Sequence, residues 1–140
     1  MRPPSIVKFE RVVLLSIVLG IISTFVAWDQ VSAQVAQTGV GGGTIIGIQA
    51  VTIALYLLLI WFISRHGSPV AKWIYVVLAG LGLVVGLFGI GDTLAMGAVP
   101  AVIAIVQYAL TALSIWLLFR PDASAWFAEG RGDADAGTLP

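Results

Sequence analysis

Four stretches of this chain, Val12–Trp28, Thr44–Ile63, Trp73–Ile90 and Ala101–Phe119, contain no charged side chain. Each approaches the ~20 apolar residues with which a helix, rising ~1.5 Å per residue, crosses ~30 Å of hydrocarbon. In lipid every backbone N–H and C=O must find a partner within the protein, and a helix supplies those partners locally. The strict alternation of a barrel strand is missing. The pattern therefore predicts an all-α integral membrane protein, a bundle of four transmembrane helices over about 12–28, 44–63, 73–90 and 101–119. Composition agrees, because 59% of the 140 residues are hydrophobic and only 10% charged. A soluble domain carries about a quarter charged residues.

The charges that do occur are sorted by loop. Arg2, Lys8 and Arg11 precede the first span, Arg65 and Lys72 separate the second and third, and Arg120 and Arg131 follow the fourth. The two remaining loops have no basic residue and carry Asp29 and Asp92. The positive-inside rule then predicts both termini in the cytoplasm. Trp61, Trp73 and Trp116 at the basic end, and Trp28 at the other, fit interfacial anchoring. A single membrane domain is expected over 1–128, with a short amphipathic cytoplasmic segment at 121–128 whose Trp126 and Phe127 dip into the headgroup layer. The Gly-, Asp- and Ala-rich residues 129–140 predict a disordered cytoplasmic tail.

The long neutral loop "WDQVSAQVAQTGVGGGT" admits three readings. Val31 and Ala33 stand at the small-residue positions of a signal-peptidase site, which would cleave after Ala33. The apolar core before it is longer than a signal peptide needs, however, and Glu10 interrupts the basic segment. A phosphate loop would need a lysine after the glycines and a strand before them. The loop is best read as a turn: Asp29 caps a short surface helix, and Gly39 to Gly43 return the chain to the membrane.

Chemistry at membrane depth is limited to neutral groups. Gln49, Thr52 and Tyr56 share one face of the second span, and Gln107, Thr111 and Ser114 one face of the fourth, with Tyr108 beside it. Ser16, Gly20, Ser23 and Ala27 form a similar stripe on the first span. Such groups either bond across helices as glue or line a cavity for an apolar ligand, and the glue reading is favoured. Ala79, Gly82, Gly86 and Gly89 make a smooth face on the third span, suited to close helix packing within the bundle or against a second subunit.

Several activities lose their support. Proton-coupled transport of the small multidrug-transporter kind uses a membrane-embedded acid, and the spans have none. His66 has no second ligand near it, cysteine is absent, and no Ser-His-acid set is present, so no enzyme activity, metal or cofactor is expected. Zero net charge gives no nucleic-acid footprint. "IWFISR" and "IWLLFR", closing the second and fourth spans, share a Trp-to-Arg spacing that either interfacial anchoring or a duplicated hairpin would produce.

The segments "RPPSIVKFER", "SRHGSPVAKW" and "LLFRPDASAWF" resemble those of a group of small four-span bacterial membrane proteins to which no activity is attached. The resemblance implies a bacterial inner-membrane location and a four-helix layout, and carries over no site residues. The expected function is an accessory or structural subunit whose partners are membrane lipid and either itself or a larger membrane complex. The alternative is a small transporter or carrier of a lipophilic or neutral solute.

Overall fold

The computed structural model describes the backbone of residues 1–136 and the side chains of residues 1–132. The described chain is all helical: α1 (Pro4–Val26), α2 (Trp28–Ala36), α3 (Gly42–His66), α4 (Pro69–Phe88), α5 (Ile90–Ala95), α6 (Ala98–Leu118) and α7 (Pro121–Ala136). Four of these, α1, α3, α4 and α6, are long and apolar enough to cross a membrane. They form a square in which α1 and α4 each pack against α3 and α6.

Helix ends follow local chemistry and depart from the hydropathy boundaries. α1 starts eight residues before the apolar run, because Pro4 presets the first turn and Lys8, Glu10 and Arg11 are good helix formers. α3 stops at Gly67, whose φ of 57° and ψ of 32° let the Ser68 N–H return to the Phe62 carbonyl at 3.3 Å. Ser68 then caps α4, its hydroxyl accepting from the Ala71 N–H at 3.2 Å ahead of Pro69. α2 begins at Trp28, so Asp29 lies in its first turn and is not the cap that the sequence predicts. Gly42 and Gly43 already belong to α3, which leaves Gly39 (φ 77°) to reverse the chain.

The core is concentrated at the basic end. Ile6, Phe9, Ile63 and Leu118 are almost fully buried there, with Val13, Tyr75 and Leu117 above them. Toward the other end only Ala27 and Ala101 are buried among the described residues. The outward faces are apolar, with Val77 62% and Phe88 88% exposed, a surface that water does not tolerate and lipid does.

α7 is where the structure departs furthest from the sequence reading. Phe127 is 3% exposed and packs into the core, not the headgroup layer. The Trp126 indole donates to the Ile63 carbonyl at 2.9 Å, satisfying one of the orphan carbonyls at the end of α3. Asp122 reaches the start of α1, accepting from the Ser5 N–H at 3.0 Å and the Ser5 hydroxyl at 2.8 Å. Pro3, at the N-cap of α1, offers no side-chain cap, so a residue from the far end of the chain performs that role. A Cβ on Gly130 would lie 2.6 Å from the Gly67 carbonyl oxygen, so α7 runs close beneath the α3–α4 turn. Helical structure continues to Ala136, past the start of the expected disordered tail at 129; residues 137–140 of that tail lie outside the described residues.

Candidate functional site

The polar stripes of α1, α3 and α6 meet at mid-bundle around a cavity of about 170 Å³. A water needs roughly 10–15 Å³ of such space, so this is a chamber and not a packing defect. Ser16 and Gly20 of α1 line it, with Gln49, Thr52 and Tyr56 of α3 and Gln107 and Thr111 of α6. No Asp, Glu, Lys, Arg or His side chain lines it.

The two carboxamides flank Gly20. A Cβ there would lie 3.6 Å from Gln107 Nε2 and 4.0 Å from Gln49 Nε2. Gln107 Nε2 donates to the Ser16 carbonyl at 2.9 Å, which pins the amide across the α1–α6 contact. Gln49 Oε1 lies 3.2 Å from Thr24 Oγ1 on α1. The Gln107 bond joins two helices as interhelical glue does, whereas the single Thr24 hydroxyl proton is shared with the Gly20 carbonyl of its own helix at 3.0 Å.

The bonds leave a remainder. Gln107 Oε1 and the Ser16 hydroxyl are buried with no hydrogen-bond partner among the described residues. Leaving such an atom unsatisfied costs about 1–3 kcal/mol, and the great majority of buried polar side-chain atoms are paired. Gln107 Oε1 accepts only, so it calls for a donor.

The chamber floor is a hydroxyl pair. Ser114 donates to its own helix at the Thr111 carbonyl (2.6 Å), so the Tyr75 hydroxyl must be the donor in the 2.6 Å contact between Tyr75 and Ser114. Tyr75 packs edge-on against both Phe9 and Tyr56, with ring centroids 5.0 Å and 5.7 Å away. Ser114 therefore sits beneath the chamber, sealed from it, while Tyr75 and Thr24 join the site from positions that the sequence reading did not select. Only apolar residues and glycines follow Tyr75 in α4, and Lys72, one turn before it, belongs to the basic boundary, so no polar stripe within the span pointed to it. Thr24 follows Gly20 and Ser16 on one face of α1 and was legible in principle.

A second, apolar cavity of about 420 Å³ opens between α1 and α3, toward the neutral end. Ile21, Phe25, Trp28 and Ile46 line it, and Gln49 and Ile53 line both it and the chamber. The groove and the chamber thus adjoin through a shared wall.

The small-residue face of α4 divides. Ala79 is buried and lines the chamber. Gly86 admits Tyr108, whose hydroxyl donates to the Gly86 carbonyl at 2.9 Å; a Cβ at Gly86 would lie 2.6 Å from the Tyr108 ring. Gly82 is exposed with nothing within 4 Å of a Cβ, and Gly89 would meet only carbonyls of its own helix. The four residues therefore do not form one continuous contact. Among the described residues no group of His, Cys, Asp or Glu is placed to hold a metal ion. Compared with protein-family models, with curated proteins and with solved structures, the chain matches none.

Proposed function

We propose that the bundle binds a small neutral amphiphile, its hydrogen-donating head in the chamber and its apolar tail in the groove between α1 and α3, as a carrier or presenter of that molecule in the membrane. The observation that carries this reading is the uncharged chamber itself, lined by Gln49 and Gln107 and sharing Gln49 and Ile53 with an apolar groove, with the unpartnered Gln107 Oε1 buried in its wall. An ionised head would lack a counter-charge there and would be costly to desolvate. A hydroxyl or amide head would donate to Gln107 Oε1 and exchange a bond with Ser16. The reading is of a binder and not a catalyst, because the chamber offers no acid, base or nucleophile beyond hydroxyls and amides.

The location proposed with it is a bacterial cytoplasmic membrane with both termini inside. Its support is the gathering of every basic residue at one end of the bundle, together with the resemblance of the boundary segments.

The test uses a monoacylglycerol brominated along its chain, titrated into the protein in uncharged detergent. A tail in the groove lies beside Trp28, so saturable quenching is expected, lost in a Trp28→Phe variant. Gly20→Leu, which fills the space between the two carboxamides, should weaken binding at least tenfold. Quenching that rises without saturation, or that Gly20→Leu leaves unchanged, would refute the reading.

An accessory subunit packing against itself or a larger complex is the second reading. One observation favours it: at exposed Gly82 the backbone of another helix can approach closely.

A further inference from the structure

A depression of about 840 Å³ lies between the start of α1, the end of α6 and the first turn of α7. Lys8 and Arg11, one turn apart on α1, and Arg120, after α6, all line it. Neither Lys8 nor Arg11 has a carboxylate within 4.0 Å among the described residues. The one acid in the depression is Asp122, and both its oxygens are engaged by Ser5. Arg120 approaches that carboxylate only at 3.9 Å, and its guanidinium rests over the Trp116 ring at 4.9 Å. The opposite arrangement holds for Arg2, which Glu10 and buried Ser64 engage directly.

Three cations against one occupied carboxylate leave a positive site at the level where the spans end. Its floor is apolar: Val12, Leu113 and Leu117 continue from the cations up the α1–α6 face. Leu113 is 41% and Trp116 55% exposed, so this floor is open to a chain lying along it. A soluble anion would satisfy the cations and leave that floor uncovered. We propose that this depression is a binding site for one anionic phospholipid, its phosphate held by Lys8, Arg11 and Arg120 and its acyl chain laid along Val12, Leu113 and the exposed edge of Trp116. Basic pockets between helices at a membrane face suit such headgroups, and a cation stacked on an aromatic face is already oriented toward its anion. The site shares no lining residue with the chamber and does not depend on the chamber having a ligand.

The test is native mass spectrometry of the full chain in an uncharged detergent, titrated with phosphatidylglycerol, phosphatidylcholine or inorganic phosphate. One phosphatidylglycerol should bind at least tenfold more tightly than phosphatidylcholine. A Lys8→Gln, Arg11→Gln, Arg120→Gln variant should lose that preference, whereas Arg131→Gln, removing a cation elsewhere, should keep it. Circular dichroism of each variant checks that the helices persist, and Arg11→Gln alone, at an exposed position, should still lower the preference by severalfold. Equal binding of the two lipids overturns the proposal, as does equal loss of preference in the triple variant and in Arg131→Gln. Phosphate displacing the lipid at comparable concentration would assign the site to a soluble anion and overturn the lipid assignment.

Discussion

Gln107 is a side chain with two opposed ends: its nitrogen is bonded to Ser16 and its oxygen is buried and orphaned. If the oxygen serves a ligand, Gln107→Leu should separate stability from binding. It removes an unsatisfied acceptor along with one bond, so stability should change by no more than ~1 kcal/mol, while affinity for the brominated probe drops at least tenfold. Thermal unfolding in detergent beside the quenching titration checks both halves. Gly86 makes the opposite kind of demand, because a methyl group there would sit 2.6 Å from the Tyr108 ring. Gly86→Ala should cost roughly 1–3 kcal/mol by overpacking. Gly82→Ala, four residues away in open space, should be close to neutral in a monomer. A large loss at Gly82 instead would place a partner on that face. The two glycines read identically in the sequence, since a GxxxG spacing says that one face is smooth without saying which turn of it is covered.

Among the elements, α7 holds the basic end together. Asp122 ties it to α1, Trp126 to α3, and Phe127 to the core. The Ser5 hydroxyl and then its backbone N–H hold the Asp122 carboxyl below its usual value of 3.8. A carboxylate depressed in the folded state contributes fully above its unfolded pKa and loses that contribution as pH falls through the folded one. Docking of α7 should therefore be constant from neutral pH down to about 4 and loosen below it. Exchange of the Ser5 amide with deuterium measures this, and Asp122→Ala should show the acid behaviour at neutral pH. Trp126→Phe, which strands the Ile63 carbonyl, should lower stability by about 0.5–1.5 kcal/mol. None of this docking was legible in "RPDASAWFAEG", because an aromatic pair beside a membrane boundary fits a lipid headgroup layer and a protein crevice equally well. The long helices were legible because hydrocarbon dictates both their length and their lack of charge. Their ends were less so: Lys8 and Glu10 break an apolar run without breaking a helix. Spacing put Gln49 with Tyr56 on one face of α3 and Gln107 with Thr111 on one face of α6, but whether those faces meet around a cavity depends on helix packing. The division between Ser114 below the floor and Thr111 above it depends on Tyr75, which no polar stripe of α4 announces.

For the molecule as a whole, the sorting of cations makes the simplest prediction. A C-terminal phosphatase fusion should be inactive and a C-terminal green fluorescent fusion bright in bacterial cells. The reverse result would invert the proposed orientation. The packing is as uneven as the charge. Phe9, Ile63, Leu118 and Phe127 fill the bundle at the basic end, while the half around Gln49 and Trp28 is thinly packed and opens sideways between α1 and α3. A vessel stoppered at its base and slit along one flank is filled from the side, so on the proposed reading an amphiphile would slide in between α1 and α3 and not arrive from the water at the basic end.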